Sequence, residues 1–148
     1  MNLMKEHYLE LLGYENWAMQ KIIPVLSESR DADALKLFSH ILFAREIWFN
    51  RISGQNNPYN FDGKSLEECV NAYQKNQTEW IKFIESVEDF EIDVNYQTTE
   101  GKPFSDKLKN ILTHVVNHST YHRGQITNTL KEKIKLPSTD FIFYLREI

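Results

Sequence analysis

The stretch Leu108-Lys-Asn-Ile111-Leu-Thr-His114-Val115-Val-Asn-His118-Ser-Thr-Tyr121-His122-Arg-Gly-Gln125-Ile126-Thr-Asn-Thr-Leu130 decides how the chain is read. With Val115 placed at zero and each residue turned by about 100°, Leu108, Ile111, Ile126 and Leu130 fall within about 60° of it. That period is helical, and the apolar sector must face a core. Ser105 or Asp106 is the expected cap, and the helix is expected to reach about Lys133 before Leu136-Pro137-Ser138 breaks it.

Three further segments share this period. Leu3, Met4, Leu11, Leu12, Ala18, Ile22 and Val25 predict a helix over residues 3–27, with Pro24 kinking or ending it. Asp31 or Asp33 caps a second, in which Leu37, Ile41, Ala44, Trp48 and Ile52 recur every three or four positions until Gly54 to Pro58. Ser65-Leu-Glu-Glu68 has the form of a capping box for a third, reaching about Val87 with Val70, Tyr73, Trp80, Ile81 and Ile84 inward. The period then becomes two at Ile92, Val94 and Tyr96, with a turn at Thr99 to Lys102 and a return strand from Pro103-Phe104. The tail from Thr139 reads as a short helix over one end. The expected fold is all-α: a four-helix bundle whose long crossover between helices 3 and 4 carries a short β-hairpin, plus a short C-terminal helix, in one domain over residues 1–148.

Composition narrows the function. The 148 residues are 41% apolar and 26% charged, with formal charge -4, so a nucleic-acid phosphate binder is not expected. No apolar run is long enough to span a membrane. Cys69 is the lone cysteine, which fits a reducing compartment, and the charged start lacks the apolar run of a signal peptide. A cytoplasmic protein is expected.

Three of the five histidines lie within nine residues. Residues four apart share a helix face, so an adjacent pair can aim two imidazoles at one metal. All three cannot, because His114 and His122 are about 12 Å apart along the axis. On the projection His122 falls at about -20°, His118 at about -60° and His114 at about -100°. This aims His118 and His122 into the bundle and leaves His114 on the rim. Two adjacent core imidazoles would have unsatisfied nitrogens unless something bound them. The third ligand is expected from a facing helix. His40 is the candidate, at about -100° from Ile41, on the edge of its apolar arc. The bland alternative is that each is a hydrogen-bonded core or rim histidine. His7 receives no role. No HExxH is present. Three histidine ligands leave a coordination position open, as in catalytic rather than structural sites. Imidazoles suit zinc, nickel, copper or iron alike.

The run from Leu112 to Ile126 resembles the fourth-helix signature of the DinB-like (DNA-damage-inducible-type) four-helix-bundle metalloproteins. Tyr14-Glu-Asn-Trp17-Ala18 resembles the family's first-helix motif, and His40-Ile-Leu-Phe-Ala44-Arg-Glu-Ile-Trp48-Phe-Asn-Arg51 its second. The strand pair and the tail Leu136 to Leu145 also fit, so the resemblance spans nearly the whole chain. It implies a divalent-metal triad of His40, His118 and His122, and a homodimer. Most members have no known reaction. Some relatives are transferases using bacillithiol or glutathione-like thiols, and one is a mycothiol-dependent isomerase, which implies a low-molecular-weight thiol as a co-substrate.

Other residues accompany the triad in the sequence. Gln125, three after His122, is expected to line the same cavity, and Tyr121 to turn toward the rim. Arg45 falls at about 40° from Ile41, inside the apolar arc; it either binds an anionic substrate group or snorkels at a dimer contact, the second being favoured. Trp17, Trp48 and Cys69 read as core residues. Gly124 reads as close helix packing or as room for substrate, and the aromatic tail as a seal or a dimer surface. Three functions compete: a metal-dependent enzyme, most concretely a thiol-dependent transferase or else a hydrolase of small molecules; a non-catalytic metal- or ligand-binding stress-response bundle; and a bundle whose histidines bind nothing.

Overall fold

Local capping chemistry sets most of the helix ends. In the computed structural model, which describes residues 2–147, α1 spans Leu3–Ser29 and starts with the Asn2 side chain accepting from the Lys5 amide. It runs through Pro24, beyond the expected end. Pro24 is exposed, so the carbonyl its missing N–H leaves free faces water. Arg30 closes α1 in the left-handed region at φ 50. Asp31, not Asp33, caps α2 (Ala32–Ser53), accepting from the Ala34 amide at 2.9 Å, and Gly54 at φ 73 ends it. Ser65 and Glu68 form the expected capping box of α3 (Leu66–Ser86).

The hairpin lies between α3 and α4. Strands β1 (Asp93–Gln97) and β2 (Pro103–Lys107) pair antiparallel, with Val94 opposite Asp106 and Tyr96 opposite Phe104. Ser105 and Asp106 therefore sit in a strand instead of capping α4 (Leu108–Leu130). The first amides of α4 are satisfied from farther away: Leu108 N donates to Ile92 O at 2.9 Å and Lys109 N to Phe90 O at 3.0 Å. The helix also stops at Leu130, three residues short of the expected Lys133.

Two apolar clusters give the helix directions. One joins Tyr8 and Leu12 from the start of α1, Phe49 from the end of α2, Trp80 and Ile84 from the end of α3, and Leu108 to Val115 from the start of α4. The other joins Met19 to Leu26, Ala34 to Leu42, Cys69 and Tyr73, and Ile126 and Leu130. So α1 and α4 run one way while α2 and α3 run the other. α2 packs on α3 and α4, and α1 packs on the same two. Because α2 and α3 are parallel, the loop over residues 54–65 must travel back along about 30 Å of helix. That loop passes over the outer face of α2.

The tail forms α5 (Phe141–Glu147), laid on α1. Tyr14 Oη donates to Thr139 O at 2.7 Å, and Trp17 Nε1 to Glu147 Oε2 at 2.7 Å. A Cβ at Gly13 would lie 2.7 Å from Tyr144 Oη, so glycine there permits the close approach. Trp17 thus packs against the tail instead of the bundle core, and the tail seals α1 within the chain.

Candidate metal centre

α2 and α4 pack directly, and this places His40 opposite His118 and His122. One ligand atom from each of the three lies within 4.8 Å of the others. The His40 and His122 rings are 4.4 Å apart, His118 and His122 4.4 Å, and His40 and His118 5.1 Å. The pair on α4 is half-buried and His40 is exposed. The projection aimed His118 and His122 into the bundle. They sit at its edge because Val116, Ser119 and Arg123 are also buried, which turns the true core direction of α4 away from them.

Two details fit this donor set to a metal ion. His122 Nδ1 is 2.6 Å from Gln125 Oε1. A carbonyl oxygen accepts, so Nδ1 carries the proton and Nε2 is the nitrogen left with a lone pair to offer. His118 Nδ1 is buried with no partner among the described residues, a state that costs free energy unless a ligand satisfies it. Burial and then the neighbouring His122 lower the pKa of His40. Burial, then His122, His40 and His114, push His118 down to about 4. At neutral pH both imidazoles are therefore unprotonated, as metal ligands must be.

Beside His40 the α2–α3 loop encloses a cavity of about 460 Å³. Phe43, Tyr59 and Phe61 form apolar walls, and Lys36 and Asp62 stand at its margin. Tyr59 meets Phe43 edge-on at 5.3 Å, which ties the loop to the helix.

A family model described as the DinB family matches residues 4–146. The chain belongs to the DinB family. It is 24% identical to a curated relative, "Protein DinB" of Bacillus subtilis (strain 168), over 96% of this chain and 95% of that one. No solved structure matches it.

The remaining candidates in this DinB-family chain fall in different places. Gln125 is half-buried and holds His122. Tyr121 is 65% exposed, its ring edge-on to His122 at 5.1 Å, on the rim as expected. Arg45 is a correction: it is 1% exposed, inside the bundle, and reaches neither a surface nor the cavity. Its Nε donates to Asn76 Oδ1 at 2.8 Å and its Nη2 to Gln77 Oε1 at 2.6 Å, with the guanidinium 4.7 Å from the Tyr73 ring. A guanidinium accepted into an apolar arc needs such partners, and α3 supplies them. His114 is exposed against Trp48, which is half-buried at the edge of the core, and lies outside the ligand group. His7 is exposed on α1. A Cβ at Gly124 would meet nothing within 4 Å, so close packing does not explain that glycine. Cys69 is fully buried, and burial raises its thiol pKa, which makes it a poor nucleophile.

Sequence reasoning missed Glu15 and Arg123, an ion pair at 2.8 Å with 1% and 2% exposure. One signal was available. Arg123 projects at about 80° from Val115, beside the apolar sector instead of opposite it.

Proposed function

We propose that this DinB-family protein is a metal-dependent enzyme whose divalent ion is held by His40, His118 and His122. The observation that carries the reading is the convergence of three ligand atoms from two helices within 4.8 Å, with His118 held unprotonated by burial. Three imidazole ligands suit zinc, nickel or iron and leave room for an exogenous ligand. When bound, the ion supplies Lewis acidity that favours the anionic form of a thiol or of water at neutral pH.

The most concrete reaction is transfer of a low-molecular-weight thiol to a small electrophile. The chain's own part is to bind and orient. Gln125 fixes the tautomer of His122, and the cavity beside His40 offers apolar walls for the body of a small molecule. Hydrolysis of a small substrate is the alternative on the same site. We further place the protein in the cytoplasm as a homodimer acting without nucleic acid. The single, buried Cys69 suits a reducing compartment, and the homodimer follows the resemblance. No described helix is long and apolar enough to cross a membrane.

The test is an assay of thiol conjugation to an electrophile such as chlorodinitrobenzene, with several low-molecular-weight thiols. The expected result is turnover that disappears on chelation and returns with one divalent metal. Turnover that survives metal removal contradicts the mechanism. Metal binding without turnover on any thiol or ester favours the non-catalytic reading.

A further inference from the structure

Metal ligands carried on a helix depend on the rotation of that helix about its axis. A turn of about 20° moves an atom about 6 Å from the axis by about 2 Å, as much as a whole metal–nitrogen bond. Something must therefore fix the rotation of α4 where His118 and His122 leave it. Apolar packing there is thin, because Ser119 and Arg123 occupy the buried positions between Val116 and Ile126.

The side of α4 facing α1 supplies the fixture. Glu15 Oε1 accepts from Thr120 Oγ1 at 2.8 Å and from Arg123 Nη1 at 2.8 Å. Thr120 and Arg123 bracket His122 in sequence. Glu15 Oε2 has no partner among the described residues, so both of the hydrogen bonds made by this carboxylate go to α4. Arg123 Nη2 donates to Tyr14 Oη at 2.6 Å, and that hydroxyl donates onward to Thr139 O at 2.7 Å. Tyr14 is itself held between Trp17, Phe141 and Tyr144. The guanidinium is planar and held at both ends, so it resists rotation as well as separation. On the projection Arg123 and Thr120 lie about 120° and 180° from the mean direction of His118 and His122. The clamp thus grips the helix from behind the ligands.

We propose that Glu15 is a positioning residue for the metal centre, acting through Thr120 and Arg123 to set the rotation of α4 that turns His118 and His122 toward His40. This rests on the metal reading above. It assigns a role to residues that touch neither ion nor substrate.

The test is titration of untagged, metal-stripped full-length protein with Co²⁺, reading affinity and the visible absorption band, beside a thermal melt of each metal-free variant. Four chains are compared. In Glu15→Gln the Oε1 acceptor is kept, and affinity within about twofold of wild type is expected. Thr120→Val removes one hydrogen bond at an exposed site, with about threefold weaker binding expected. The double variant Glu15→Met, Arg123→Met replaces the ion pair by apolar side chains of similar length, a change buried pairs tolerate. It is expected to melt near wild type, to bind about tenfold more weakly and to shift the cobalt band. A merely structural role would leave affinity and band unchanged in a folded double variant, and that result overturns the proposal. Thr120→Val at wild-type affinity overturns it too, and decides the matter should the double variant fail to fold. A wild-type chain that takes up no cobalt instead overturns the metal reading.

Discussion

Helix α4 has two polar faces, and they are built on opposite terms. Toward α1 it presents Arg123, almost fully buried, with its charge matched by Glu15 and a further bond to Tyr14. Toward α2 it presents His118 and His122, half-exposed, with one imidazole nitrogen left without a partner among the described residues. The first face has its charges paired within the chain, although Glu15 Oε2 and Ser119 Oγ have no partner among the described residues. The second has ligand atoms to spare. A buried charge is costly to leave without partners, whereas an imidazole at the margin of the bundle can be left under-satisfied where a ligand can reach it. The contrast sets a paired buried charge beside imidazoles open to a ligand, on one helix and within residues 118–123.

The largest effect should come from breaking the charge-paired face from one side. Glu15→Ala leaves Arg123 buried and uncompensated, and a loss of about 3–5 kcal/mol is expected in urea unfolding of the metal-free protein. A loss under about 1 kcal/mol would show that Arg123 escapes to solvent and that the face is not closed. The other face should respond in the reverse way. His118→Ala is expected to abolish metal uptake while shifting metal-free stability by less than about 1 kcal/mol, since a half-buried imidazole without a full set of partners holds little together. Elemental analysis beside a melt checks both halves of that statement.

Acid should find the same asymmetry. The His118 pKa is about 4 in the fold and about 6.5 in the unfolded chain. Between those values the unfolded chain binds more protons, so metal-free stability falls as pH drops from about 6.5 toward 4. His118→Ala should flatten that part of the profile. An unchanged slope would mean that other groups set it. Gln125→Leu should give the smallest shift. It frees His122 Nδ1 from its acceptor and is expected to weaken zinc binding about tenfold, with little change in melting. Unaltered affinity would show that Gln125 does not orient the ring.

What the sequence revealed follows from how local each cause is. The capping box at Ser65, the Asp31 cap and the four-residue spacing of the histidines act within one or two turns, and they appear in the structure where the residues place them. The cap of α4 does not: its amides bond to Phe90 and Ile92, in a segment that precedes the hairpin. No local pattern around Ser105 or Asp106 could show it. The burial of Arg45 and Arg123 was not legible for a related reason. A projection places a residue on an arc without showing its partners, and these two are inside because α3 and α1 bring partners to them. Buried Arg123, with Val116 and Ser119, displaces the core direction on α4, so the histidines lie farther out than projected. At that margin the three imidazoles lie next to the cavity beside His40.

Equilibrium dialysis of the untagged, metal-stripped chain against zinc, with elemental analysis, tests the central claim most directly. About one ion per chain is expected for wild type, and none retained after His40→Ala, His118→Ala or His122→Ala. A chain that still holds one ion with all three histidines replaced would contradict the account.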